Sequence, residues 1–179
     1  MVPSFRFGFL LFFWLSSFAA MAAHPLSAKI SWKYINVPAT MKIYEPTAQR
    51  PLKLWDMGNG KTLEELPVSH EIADGTVKIS PGGKKQFILV WKNDSDKPVY
   101  FFAAPHHVEP QEWSLGFKFH CLCTNHVYSA QPGEYWYRVV ELDLDKSYIG
   151  SAVDIVHSLI AVSAERQTSG VQSHPTGDM

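Results

Sequence analysis

Gln86-Phe87-Ile88-Leu89-Val90-Trp91-Lys92-Asn93-Asp94-Ser95-Asp96-Lys97-Pro98-Val99-Tyr100-Phe101-Phe102-Ala103 decides the fold class. Phe87, Leu89 and Trp91 recur at period two, which places them on one face of a strand. Residues 93–98 concentrate turn formers. Residues 99–103 then read as the return strand of a hairpin. Upstream, residues 76–80 form a short strand ended by Pro81-Gly82-Gly83. Downstream, residues 117–121 put Phe117, Phe119 and Cys121 on one face and Lys118 and His120 on the other. After the turn at Gln131-Pro132-Gly133, residues 135–144 alternate again: Val140, Leu142 and Leu144 face one way, Glu141 and Asp143 the other. Residues 153–162 form a last strand. Nearer the N-terminus, strands are expected at 30–37 and around 41–44, and residues 55–60 read as a turn. No stretch carries a helical apolar period. The chain is therefore expected to be all-β, an antiparallel β-sandwich.

The 179 residues suit one domain. A hydrophobic fraction of 46% against 18% charged excludes a disordered chain, which could not bury enough apolar surface to fold. Sixteen basic against 17 acidic residues, without a basic run, give no electrostatic basis for nucleic-acid binding. Residues 1–23 read as a secretory signal peptide: Arg6, an apolar run from Phe7 to Trp14, and small residues around Ala20-Met21-Ala22. Retained, the same segment would be a membrane anchor. The domain is then residues 24–164, in the periplasm or secreted, with a polar tail at 165–179. In such an oxidising space a cysteine pair is bridged, metal-bound or redox-active.

The chemistry concentrates in Phe119-His120-Cys121-Leu122-Cys123-Thr124-Asn125-His126, a C-x-C-x-x-H spacing. On a regular strand Cys121 and Cys123 share a face about 6.5–7 Å apart, too splayed for a disulfide and suited to one shared ion. His126 follows where the chain leaves the strand and can swing back to the same side. Two thiolates and an imidazole favour Cu(I); zinc, which takes four ligands, would need a second histidine. His106, His107 and His120 are the available additions. Of His106 and His107 at most one can face the cysteines, and His120 lies on the opposite face. His24 would add a chelating amine if it became the N-terminus. His157, within an apolar strand, reads as a core residue; His70 and His174 have no companions. Met41 and Met57 read as packing residues, as do Tyr100-Phe101-Phe102 and Tyr135-Trp136-Tyr137. No nucleophile elbow, phosphate-cradling loop or H-E-x-x-H is present, so an enzyme is not expected.

Three pieces of this sequence together resemble the copper-delivery assembly protein family of cytochrome c oxidase, over roughly residues 77–144. They are the residues 91–99, similar to an N-x-S-D-x-P-V hairpin; Phe119-His120-Cys121-Leu122-Cys123, similar to a C-F-C-F copper motif; and Pro132-Gly133-Glu134. The resemblance implies an immunoglobulin-like sandwich with Cu(I) on Cys121 and Cys123. It also implies a Cu(I) chaperone that docks on a copper-accepting partner such as an oxidase subunit or assembly factor, with a homodimer through the metal site. The chain departs from the pattern at Leu122 and Thr124 and lacks a third cysteine; it offers His126 instead. Two other functions fit the residues: a cupredoxin-like electron-transfer protein, and an interaction module without metal.

Overall fold

The computed structural model describes residues 24–38, 40–47, 52–123 and 126–163. The leader expected at 1–23 and the tail expected at 165–179 lie outside the described residues. Among the described residues twelve strands follow in order: β1 (Leu26–Ile35), β2 (Lys42–Pro46), β3 (Met57–Gly60), β4 (Val68–Glu71), β5 (Thr76–Ile79), β6 (Lys84–Lys92), β7 (Val99–Ala103), β8 (His107–Glu109), β9 (Phe117–His120), β10 (Tyr128–Ala130), β11 (Tyr135–Leu144) and β12 (Ala152–Val162). They make two sheets. The first runs β10-β7-β12-β1-β5, with β8 also on β12; the second runs β3-β11-β6-β2-β4, with β9 also on β11. The architecture is an all-β sandwich. Its pairings are antiparallel except for β1 and β12, which run parallel from Ser27↔Ala152 to Ile35↔Ile160. Among the described residues no helix is long and apolar enough to cross a membrane.

The alternation read from the sequence is what fills the space between the sheets. Phe87, Leu89 and Trp91 of β6 meet Val140, Leu142 and Leu144 of β11 and Leu26, Ala28 and Ile30 of β1 in one buried cluster. Burying a large apolar side chain contributes about 1.5–3 kcal/mol, so this inner layer dominates the folding energy. The opposite face of β6 is also covered. Ile88 and Val90 pack with Tyr44, Leu66 and Val139 under Leu52, Leu63 and Val68. That second cover explains why β6 is an uninterrupted apolar run rather than half polar.

Two expectations are corrected here. Residues 99–103 are a strand, but not the return strand of a hairpin: β6 lies in the second sheet and β7 in the first. Residues 93–98 therefore carry the chain across the sandwich. Asn93, fully buried, holds the crossing. Its Nδ2 donates to the Lys97 and Ala130 carbonyls (2.8 and 3.0 Å), and its Oδ1 accepts from the Ser95 amide and hydroxyl (3.1 and 2.6 Å). Its backbone pairs with Glu134 and with Gly133, whose φ of 74° gives the Pro132-Gly133 turn its left-handed step. Residues 55–60 are the second correction. The turn ends at Trp55, and Met57–Gly60 continues as β3 along the edge of β11. Met-Gly-Asn-Gly has no strand propensity of its own; the unpaired edge of β11 imposes the conformation.

Candidate metal centre

β9 delivers the cysteines. It pairs with β11 through His120↔Glu141 and no further. Phe119 and Cys121 face inward and Lys118 outward, as the alternation predicts. His120 faces away from the sulfurs, edge-on to Trp55 at 5.9 Å. Beyond it the alternation breaks, because Leu122 is fully buried as well. The core gains the leucine side chain, and the Leu122 carbonyl accepts a hydrogen bond from the Tyr128 hydroxyl (3.1 Å), which itself accepts one from Arg138 Nη1 (2.8 Å). The chain bends at Leu122, and the two sulfurs approach to 3.1 Å. The expectation that they are too splayed to approach each other is thus corrected. It assumed a regular strand through Cys123, and the strand ends at His120. Both cysteines are free thiols.

Two histidines converge on the sulfurs, both from the first sheet. His106 lies in the connection between β7 and β8, and its Nδ1 is 3.5 Å from Cys121 Sγ and 3.7 Å from Cys123 Sγ. His157 is central in β12, on the inward face shared with Val153, Ile155 and Leu159. Its Nδ1 is 3.7 Å from Cys123 Sγ. One ligand atom from each of His106, Cys121, Cys123 and His157 lies within 4.8 Å of every other. The second sheet supplies the two sulfurs and the first sheet the two nitrogens, so the group bridges the sandwich. Trp32 stacks on the His157 ring at 5.1 Å, and Phe119 packs against both imidazoles.

His126, expected in the site, is not among the four. It is exposed and its ring lies edge-on to Tyr128 at 5.1 Å. Of the adjacent histidines, one does face the cysteines: His106 turns in, and His107 turns out to Glu109 at 3.1 Å. His24 is exposed, His70 lies beside Ser69, and His174 falls outside the described residues. Met41 is core and Met57 half-exposed near Arg138. The place of His157 in this group is not expected from the sequence, because a histidine in an apolar strand reads as packing. The available signal was its register, a titratable side chain on the inward face of the last strand.

The electrostatics follow from the crowding. The Cys121 thiol donates to Cys123, and with burial this holds the Cys121 proton far more tightly than usual. Cys123 is pushed the other way: the Cys121 hydrogen bond and the His106 and His157 rings favour its thiolate over the cost of burial. The pair therefore titrates as one unit sharing a proton. Burial lowers the pKa of His157, opposed by the Cys123 sulfur. His157 Nε2 is buried and has no hydrogen-bond partner. The donors fit a metal ion. A tetrahedral ion with metal–sulfur bonds of about 2.3 Å and metal–nitrogen bonds of about 2.0–2.1 Å has sulfur–nitrogen edges near 3.5 Å. Three of the four sulfur–nitrogen edges, at 3.5–3.7 Å, match this length. The sulfurs would have to part from 3.1 Å toward about 3.8 Å as an ion takes the place of the shared proton.

No curated protein and no solved structure matches the chain. A family model does match, over residues 26–162, from the first residue of β1 to the last of β12. The sandwich and its Cys–His group thus lie wholly within one family unit, and the chain belongs to the family described as a domain of unknown function (DUF8709).

Proposed function

We propose that this domain is a copper-handling protein that holds one Cu(I) between its two sheets, on Cys121, Cys123, His106 and His157. The observation that carries the reading is the convergence of two sulfurs and two imidazole nitrogens within 4.8 Å of one another, three of the sulfur–nitrogen distances being 3.5–3.7 Å. Thiolates select soft cations, and Cu(I) is softer than Zn(II). The donors differ in depth. His157 and Cys121 are buried, while His106 and Cys123 are only partly covered. An incoming thiolate or imidazole would therefore displace the outer pair first, which suits delivery to a copper-accepting partner. The acceptor implied by the sequence resemblance is an oxidase subunit or assembly factor. With the leader acting as a signal peptide, the handover would take place in the periplasm or outside the cell.

The test is anaerobic titration of the reduced full chain with Cu(I) against a competing chelator. One tightly held equivalent is expected, and none in Cys121→Ser/Cys123→Ser. Unchanged stoichiometry in that variant would remove the proposal. Zinc is the second reading, favoured by the four-donor tetrahedral spacing. It prevails if the protein retains Zn(II) when both ions are buffered at equal free concentration. An intense blue or purple Cu(II) form would instead point to electron transfer.

A further inference from the structure

We propose that the cavity beside His106 is the passage through which the ion reaches the four donors, with His107 and Glu109 as its first, weak ligands. This inference rests on the metal-binding reading above. A cavity of about 550 Å³ lies against β8 and the short 3₁₀ turn at Gln111–Ser114, and its walls include His106, His107, Glu109 and Ser114. His106 belongs to both compartments. The residue lines the cavity, while its Nδ1 faces the two sulfurs. Cys121, Cys123 and His157 do not line the cavity, so His106 is the common wall.

β8 explains the pair in front of it. Alternation turns Val108 into the core and sets His107 and Glu109 side by side on the outer face. Their side chains are 48% and 64% exposed, with His107 Nε2 3.1 Å from Glu109 Oε1. One imidazole and one carboxylate can replace water around a hydrated cation but cannot compete with two thiolates. An ion captured there moves next to His106 and then to the sulfurs behind it, each step exchanging harder ligands for softer ones. Neither residue is required for the final coordination, so the pair governs how fast the centre fills and not how tightly it holds.

The experiment is stopped-flow loading of the reduced full chain with Cu(I) supplied as its acetonitrile complex, followed by sulfur-to-copper near-ultraviolet absorbance. His107→Ala/Glu109→Gln removes the first ligands, and Ser114→Trp adds bulk at another residue of the cavity lining. All three side chains are exposed, so the fold is retained. Loading should slow by about tenfold in both variants, the scale on which a charged cleft raises association rates. Chelator competition should give the same affinity as the unaltered chain. Equal loading rates in the double variant would overturn the inference, and so would a fall in its equilibrium affinity, which would make the pair ligands of the centre itself. If the unaltered chain takes up no copper, the metal-binding reading fails and this inference with it. Normal uptake by the unaltered chain with unslowed variants would defeat the passage alone.

Discussion

Asn93 and His157 are both fully removed from solvent, yet the protein treats them in opposite ways. Every polar atom of the Asn93 side chain is used: two carbonyls take its amide and a backbone N–H and a hydroxyl fill its oxygen. His157 has one nitrogen beside a sulfur at 3.7 Å and the other unpartnered. A buried polar group that is fully satisfied locks one conformation. One that is left short costs about 1–3 kcal/mol and calls for a reason. At Asn93 the reason for the polarity is the crossing between sheets. At His157 an ion would engage Nδ1, the nitrogen beside the sulfurs, and Nε2 would stay without a partner.

The contrast can be broken at several places. The largest effect is expected at the cysteines. With free copper at about a thousandfold over Kd, the unaltered chain should gain about 4 kcal/mol of unfolding free energy. Cys121→Ser/Cys123→Ser should gain none, as read by denaturant unfolding with and without copper. Next comes Asn93→Ala, which takes the side-chain partner from the Ala130 carbonyl and the Ser95 amide, while the Ser95 hydroxyl and the Lys97 carbonyl keep each other. It should cost about 3 kcal/mol without metal but keep the full copper-induced gain. If Asn93→Ala abolished copper binding while folded, the crossing and the centre would not be separable. Tyr128→Phe removes the hydroxyl between Arg138 and the Leu122 carbonyl. A loss of about 1–2 kcal/mol is expected, with weaker copper binding because the Cys121–Cys123 bend loses its anchor. The smallest effect has the opposite sign. His157→Phe keeps a ring against Trp32 and deletes the orphaned nitrogen. The metal-free protein should become more stable by about 1 kcal/mol while the copper-induced gain shrinks. Destabilisation of the metal-free form would show that His157 is structural first.

How much of this was legible beforehand differs from strand to strand. β7 and β11 have the bounds expected from alternation, because each has a face turned to the core and the pattern records it. β3 was not legible: its Gly and Asn residues carry no pattern, and only the edge of β11 makes them a strand. The cysteines were legible as donors, since soft side chains at C-x-C spacing have few other uses. Their approach to 3.1 Å was not, because it depends on where β9 stops and on the Tyr128 hydroxyl at Leu122. The reading of His126 as the third donor followed from proximity along the chain. The imidazoles that meet the sulfurs come from residues 15 and 34 positions away from a cysteine.

Local residue pattern sets the β character of this chain, where most strands run and which residue types could hold a soft ion. Those are local properties, written in period-two burial, turn formers and side-chain softness. Only the tertiary structure decided that residues 93–98 cross between sheets, that β1 lies parallel to β12 across more than a hundred residues, and that His106 and His157 meet Cys121 and Cys123. Pairing between distant strands is fixed by the packing of whole faces, a sum over many residues that no single stretch of sequence carries.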